Sequence, residues 1–131
     1  MARSVKTFLM FEGTAEEAMT FYVSLFKGSE ITRVDRYGPG EAGAAGSVRL
    51  AEFTLCGHRM ACIDSPSKHG FTFTPSVSLF IDCDDEAELD AAFERLSAGG
   101  AVLMPPGNYG FSKKFTWVQD RFGASWQLNV P

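Results

Sequence analysis

The chain has 131 residues, 45% of them hydrophobic and 21% charged, with a formal net charge of −4. That length suits one domain or two small modules fused into one core. The acidic balance argues against a nucleic-acid binder, whose footprint is basic and clustered, and no apolar run approaches the ~20 residues that a membrane span needs. Three cysteines, Cys56, Cys62 and Cys83, form no CxxC pair and no even framework. They are read as reduced thiols, and a cytoplasmic location is expected. The opening MARSVKTF has no apolar stretch after its basic residues, so no secretory leader is expected.

In chain order, Val5 to Phe11 reads as a strand. Thr14-Ala-Glu-Glu17 has the form of a capping box, with Glu16 and Glu17 suited to the positive end of a helix. Ala18, Phe21, Tyr22 and Leu25 form one apolar stripe, which predicts an amphipathic helix to about Phe26, stopped by Lys27-Gly28. Glu30 to Tyr37 alternates imperfectly and predicts a strand with a bulge. Gly38 to Gly46 holds four glycines and no bulky side chain, so it reads as a long hairpin connection, with a lid over a pocket as the alternative. Val48 to Cys56 and Arg59 to Asp64 form a hairpin turning at Gly57-His58. Ser65 to Pro75 is a polar linker, and Ser76 to Asp82 is a strand. A second helix is capped by Asp84, carries Leu89, Ala92, Phe93 and Leu96, and stops at Gly99-Gly100. Ala101 to Met104 is a short strand and Pro105 to Gly110 a loop. Lys113 to Val130 closes the chain as a hairpin around Asp120-Arg-Phe-Gly123.

The order strand, helix, three strands occurs twice, which predicts a single α+β domain of two tandem βαβββ modules, about 1–66 and 74–131. Superposed without gaps at their starts, the two copies place Thr7 on Ser76, Phe11 on Phe80 and Glu16 on Asp85. At the module ends, Gly57 falls on Gly123, Met60 on Trp126 and Ala61 on Gln127.

Doubled βαβββ modules resemble the vicinal oxygen chelate superfamily, which includes glyoxalase I, bleomycin-resistance proteins and extradiol dioxygenases. FEGTAEEAMTFYVSLF, GSVRLAEFTLCGHRMACIDS and WVQDRFGASWQL look like its PhnB-like branch, which often carries a 3-demethylubiquinone-9 3-methyltransferase-like label. The chain has no glycine-rich strand-to-helix loop, so adenosylmethionine binding has no basis in the sequence, and no cofactor is expected. The resemblance implies a half-barrel per module with a cleft between them. It also implies one divalent-metal ligand on the first and last strand of each module. Carried onto this chain, those positions are Thr7, Ala61, Ser76 and Gln127. Ala61 has no donor atom, the hydroxyls are weak neutral ligands, and Gln127 offers one carbonyl oxygen, so no metal is expected. Superfamily members often pair, which implies a homodimer.

Among the remaining groups, His58 and His69 read as solvated loop histidines, and Cys62, on the face opposite Ala61, as a core thiol. Glu52 and Gln127 are the candidates for acid–base or polar catalysis. Ser125, Gln127 and Asn129 share one strand face, Trp126 takes the other, and Trp117 with Phe115 reaches the same wall as Gln127. Lys113, Lys114 and Arg59 are candidates for attracting an anion. The expected function is metal-free binding of an apolar or aromatic small molecule by Thr7, Arg59, Ala61, Ser76, Trp117 and Gln127. A metal-independent isomerase, lyase or transferase of the same fold is the alternative.

Overall fold

The computed structural model describes residues 1–131 and divides into two compact units, Met1–His69 and Gly70–Pro131. The first unit holds β1 (Thr7–Phe11), α1 (Ala15–Val23), β2 (Glu30–Arg36), β3 (Val48–Leu55) and β4 (His58–Asp64). The second holds β5 (Ser78–Asp82), α2 (Glu86–Ser97), β6 (Ala101–Gly107), β7 (Lys114–Gln119) and β8 (Ser125–Val130). Each unit is a four-stranded mixed sheet with one helix, ordered β1-β4-β3-β2 and β5-β8-β7-β6. The first strand of each unit runs parallel to the last, and the other pairs are antiparallel. The doubled βαβββ order read from the sequence is therefore present. No helix is long and apolar enough to cross a membrane.

Alternation sorts the side chains of each sheet onto two faces. In the first unit Leu9, Phe11, Ala51, Phe53, Met60 and Cys62 are buried with Ala15, Ala18, Met19 and Tyr22 of α1. In the second, Val118, Trp126 and Leu128 are buried with Leu89, Ala92 and Leu96 of α2, as the strand parity of Trp126 predicts. β2 carries register shifts between Ile31 and Arg33 and between Asp35 and Arg36, which are the expected irregularity.

Several local readings change. Thr14 makes no side-chain cap bond. Its place is taken by Asp64, whose Oδ1 accepts the N–H groups of Gly13 and Ala15 at 2.8 and 2.9 Å, and whose Oδ2 accepts Val48 N–H at 2.9 Å. α1 ends at Val23 rather than near Phe26. Ser24 and Leu25 bond back only three residues, to Phe21 and Tyr22, which tightens the last turn and breaks the helix. The cap of α2 is Asp85, not Asp84. Asp85 has extended backbone and accepts Glu88 N–H at 2.8 Å, while Glu88 Oε1 accepts Asp84 N–H at 2.8 Å. β6 runs on through Pro105 and Pro106 to Gly107. It is the terminal strand of its sheet, so the missing proline N–H groups need not break a central ladder. The 38–46 segment closes on itself as a hairpin connection. Tyr37 exchanges backbone bonds of 2.9 Å with Ser47 and Gly46, and its ring lies so close to Gly43 that a Cβ there would meet it at 2.3 Å.

Candidate functional site

On the face of the first sheet opposite α1, Phe8, Glu52 and Ala61 are register neighbours. Phe8 is exposed and Ala61 buried. Glu52 stands among three cations, with Lys6 at 3.5 Å, Arg33 at 3.5 Å and Arg59 at 4.0 Å. Arg33 also pairs with Asp35 at 2.6 Å, and that hydrogen bond, with its charge, raises the guanidinium above its ordinary pKa.

The corresponding face of the second sheet is richer. Register places Phe80 and Trp117 on either side of Gln127, and Asp82 and Phe115 on either side of Asn129. Phe80 is 53% and Phe111 63% exposed, unusual for large apolar rings unless a surface has an occupant. The rings form a connected cluster: Phe80 lies 6.3 Å from Phe115, Phe111 5.0 Å and Tyr109 6.0 Å from the same ring. Beside them runs a chain of neutral polar groups. Trp117 Nε1–H donates to Ser125 Oγ at 2.8 Å, Ser125 and Ser78 hydroxyls bond at 2.6 Å, and Gln127 Nε2–H donates to Ser78 Oγ at 3.2 Å. Gln127 is thereby held by its nitrogen.

The expected site residues fall as follows. Gln127 and Trp117 are neighbours on this face. Thr7 pairs with Met60, not Ala61, so alternation puts it on the opposite face from Ala61, where its hydroxyl bonds His58 Nε2 at 2.9 Å. Ser76 precedes β5 and bonds Thr74 at 2.8 Å, and Ser78 is the serine that reaches Gln127. The repeat superposition therefore needs a different offset at its start. Phe8 faces Ala61 and Phe80 faces Gln127, so Phe8 corresponds to Phe80, while the match of Ala61 with Gln127 agrees with the pairing. Acid-rich first turns misled the alignment, because both helices carry such residues for dipole reasons at neighbouring positions. Arg59 is engaged with Glu52. Lys114 is held by Asp90 at 2.7 Å and Glu86 at 3.6 Å, and the Asp90 hydrogen bond raises its ammonium pKa, so it is no free anion receptor.

Neither the expected quartet nor its register-corrected neighbours Phe8 and Phe80 supply a metal's donor set. No three His, Cys, Asp or Glu side chains converge anywhere to hold one. Gly13 and Ala15 N–H groups are taken by Asp64, and that of Glu88 by Asp85. A surface depression of about 210 Å³ near α1 is bordered by Glu12, Ser47, Asp64 and Lys68. Its Asp64 carboxylate is consumed by backbone bonds.

Residues 3–129 match the family model described as 3-demethylubiquinone-9 3-methyltransferase. The chain belongs to this PhnB-like family. The PhnB protein of Bacillus cereus is 52% identical over 98% of this chain and 100% of its own, with a TM-score of 0.96. Beyond the PhnB-like family the likeness is one of fold. A glyoxylase/bleomycin resistance protein/dioxygenase domain from Frankia sp. EAN1pec is 13% identical, covering 99% of this chain and 98% of its own at a TM-score of 0.65. TnmS3, an antibiotic binding protein from Streptomyces sp. CB03234, is 21% identical, covering 100% and 98% at 0.59. No curated protein matches the chain.

Proposed function

We propose that this PhnB-like protein binds an apolar or aromatic small molecule without a metal ion, on the second sheet's face built by Phe80, Phe111, Trp117 and Gln127. The observation that carries the reading is the exposed, connected ring cluster beside neutral hydroxyl and amide groups. Apolar walls with a few placed polar groups are what small-molecule sites offer. The description of TnmS3 as an antibiotic binding protein supports the reading only as a fold-level analogy. A metal-independent enzyme is the second reading, with Glu52, ion-paired to Lys6, Arg33 and Arg59, and Gln127 as its candidate residues. A homodimer belongs to the proposal, with the exposed Phe71 and Val77 as apolar surface for it to cover.

The test is a thermal-shift screen with flat aromatic compounds. A ligand that binds only the folded chain raises its Tm with concentration. Shifts that disappear in Phe80→Ser support the proposal, and a flat response across the panel sinks it.

A further inference from the structure

The four strands of the second sheet contain two charged side chains, Asp82 and Lys114. Lys114 stands on the helix side, held by Asp90 and Glu86 of α2. Asp82 stands on the open face, two residues after Phe80 and so about 6.6 Å along β5 at a rise of ~3.3 Å per residue. It is exposed and enters none of the chain's ion pairs. Its Oδ1 accepts Asn129 Nδ2–H at 3.0 Å, which ties the carboxylate to the sheet. Beside it, Phe80, Tyr109 and Phe111 pack around the buried Phe115 ring at 6.3, 6.0 and 5.0 Å and stay exposed themselves. The Tyr109 and Phe111 planes stand at 89° and 74° to that of Phe115. The face of an aromatic ring carries the negative part of its quadrupole and attracts a cation within about 6 Å of its centroid. A neutral aromatic would use these rings alone, whereas an organic cation would use the rings and the carboxylate together. The chain's net charge of −4 acts in the same direction.

Resting on the proposed binding face, we infer that its ligand is an aromatic organic cation of the quaternary arylammonium type, whose charge lies between the Phe80 ring and the Asp82 carboxylate. Asp82 is the specificity-determining residue for that charge.

The test compares three probes with one ring system: 2-naphthyltrimethylammonium, the neutral 2-acetylnaphthalene and the anionic naphthalene-2-sulfonate. Binding is followed by the backbone amide signals of Phe80, Asp82 and Phe115 in nitrogen-15 NMR titrations. The ammonium probe is expected to bind about tenfold tighter than the neutral one, and the sulfonate weakest of the three. Asp82→Asn keeps an acceptor for Asn129 and removes the charge, so it shrinks the preference for the ammonium probe. If that variant fails to fold, salt decides on the parent chain: the preference must fall as sodium chloride is raised, because salt screens an exposed carboxylate and leaves a neutral contact alone. Ammonium binding no tighter than neutral binding, or a preference that neither Asp82→Asn nor salt reduces, overturns the cation inference while leaving the binding face intact. Binding of none of the three probes, nor of any compound in the wider panel, overturns both.

Discussion

The carboxylate of Asp64, in the last position of β4, accepts the N–H of Ala15 at the start of α1 at 2.9 Å, across 49 residues of sequence. The same side chain holds Gly13 and Val48, so one buried acid ties the helix start to two strands. Asp64→Ala orphans three donors and is expected to lower unfolding free energy by about 3 kcal/mol. Thr14→Ala removes no cap bond and is expected to change it by less than about 0.5 kcal/mol. Urea unfolding of both variants measures the contrast, and a larger loss in Thr14→Ala would refute the assignment of the cap.

Asp120 performs a similar task in the closing hairpin. It accepts Phe122 and Ala124 N–H at 2.9 and 3.0 Å through Oδ1, and Trp126 Nε1–H at 2.9 Å through Oδ2. Asp120→Ala is expected to cost about 2–3 kcal/mol, with altered near-ultraviolet dichroism from Trp126. An unchanged aromatic spectrum would show that the indole does not depend on this acid.

Burial, with Asp64 nearby, pushes the Cys62 thiol up from 9.0 to about 12. Between those values the unfolded chain has released the proton and the folded chain retains it, so the unfolded state binds fewer protons and stability falls as pH rises. The contribution is complete below pH 9 and is lost on the way to pH 12. Cys62→Ala is expected to show a shallower alkaline decline than the parent chain. At pH 8, iodoacetamide should modify the exposed Cys56 and spare Cys62 and Cys83, as peptide mass mapping would report.

Glu52 and Gln127 separate the two functional readings. Gln127→Ala is expected to weaken ligand binding several-fold with little change in Tm. Glu52→Gln leaves binding unchanged and alters stability by less than about 1 kcal/mol, since its partners are surface cations. Turnover of any substrate that disappears in Glu52→Gln would favour the enzyme.

The doubled architecture was legible because strand alternation, helix periodicity and glycine turns repeat locally. SWQLNV shows this well: its parity placed Trp126 in the core and Gln127 on the open face. The start of the repeat was less legible. The choice between Ser76 and Ser78, and between Thr7 and Phe8, depends on parallel pairing between segments far apart in sequence, and no local pattern encodes that. Asp64 escaped notice for the same reason. An aspartate ending a strand looks solvated until β4 folds back beside the start of α1. Asp85 and Glu88 lie within one helical turn, and only the exact cap residue was missed there.

That contrast has a kinetic side. The start of α2 is satisfied by its own neighbours, so an excised peptide spanning 84–98 carries its initiation signal with it. α1 has no such autonomy. Its first turn waits for β4 to be made and to close a 49-residue loop. The first half of the chain should therefore gain helix late, in step with its sheet, while the second half nucleates early. Pulse-labelling of amide hydrogens during refolding should protect Leu89 before Met19.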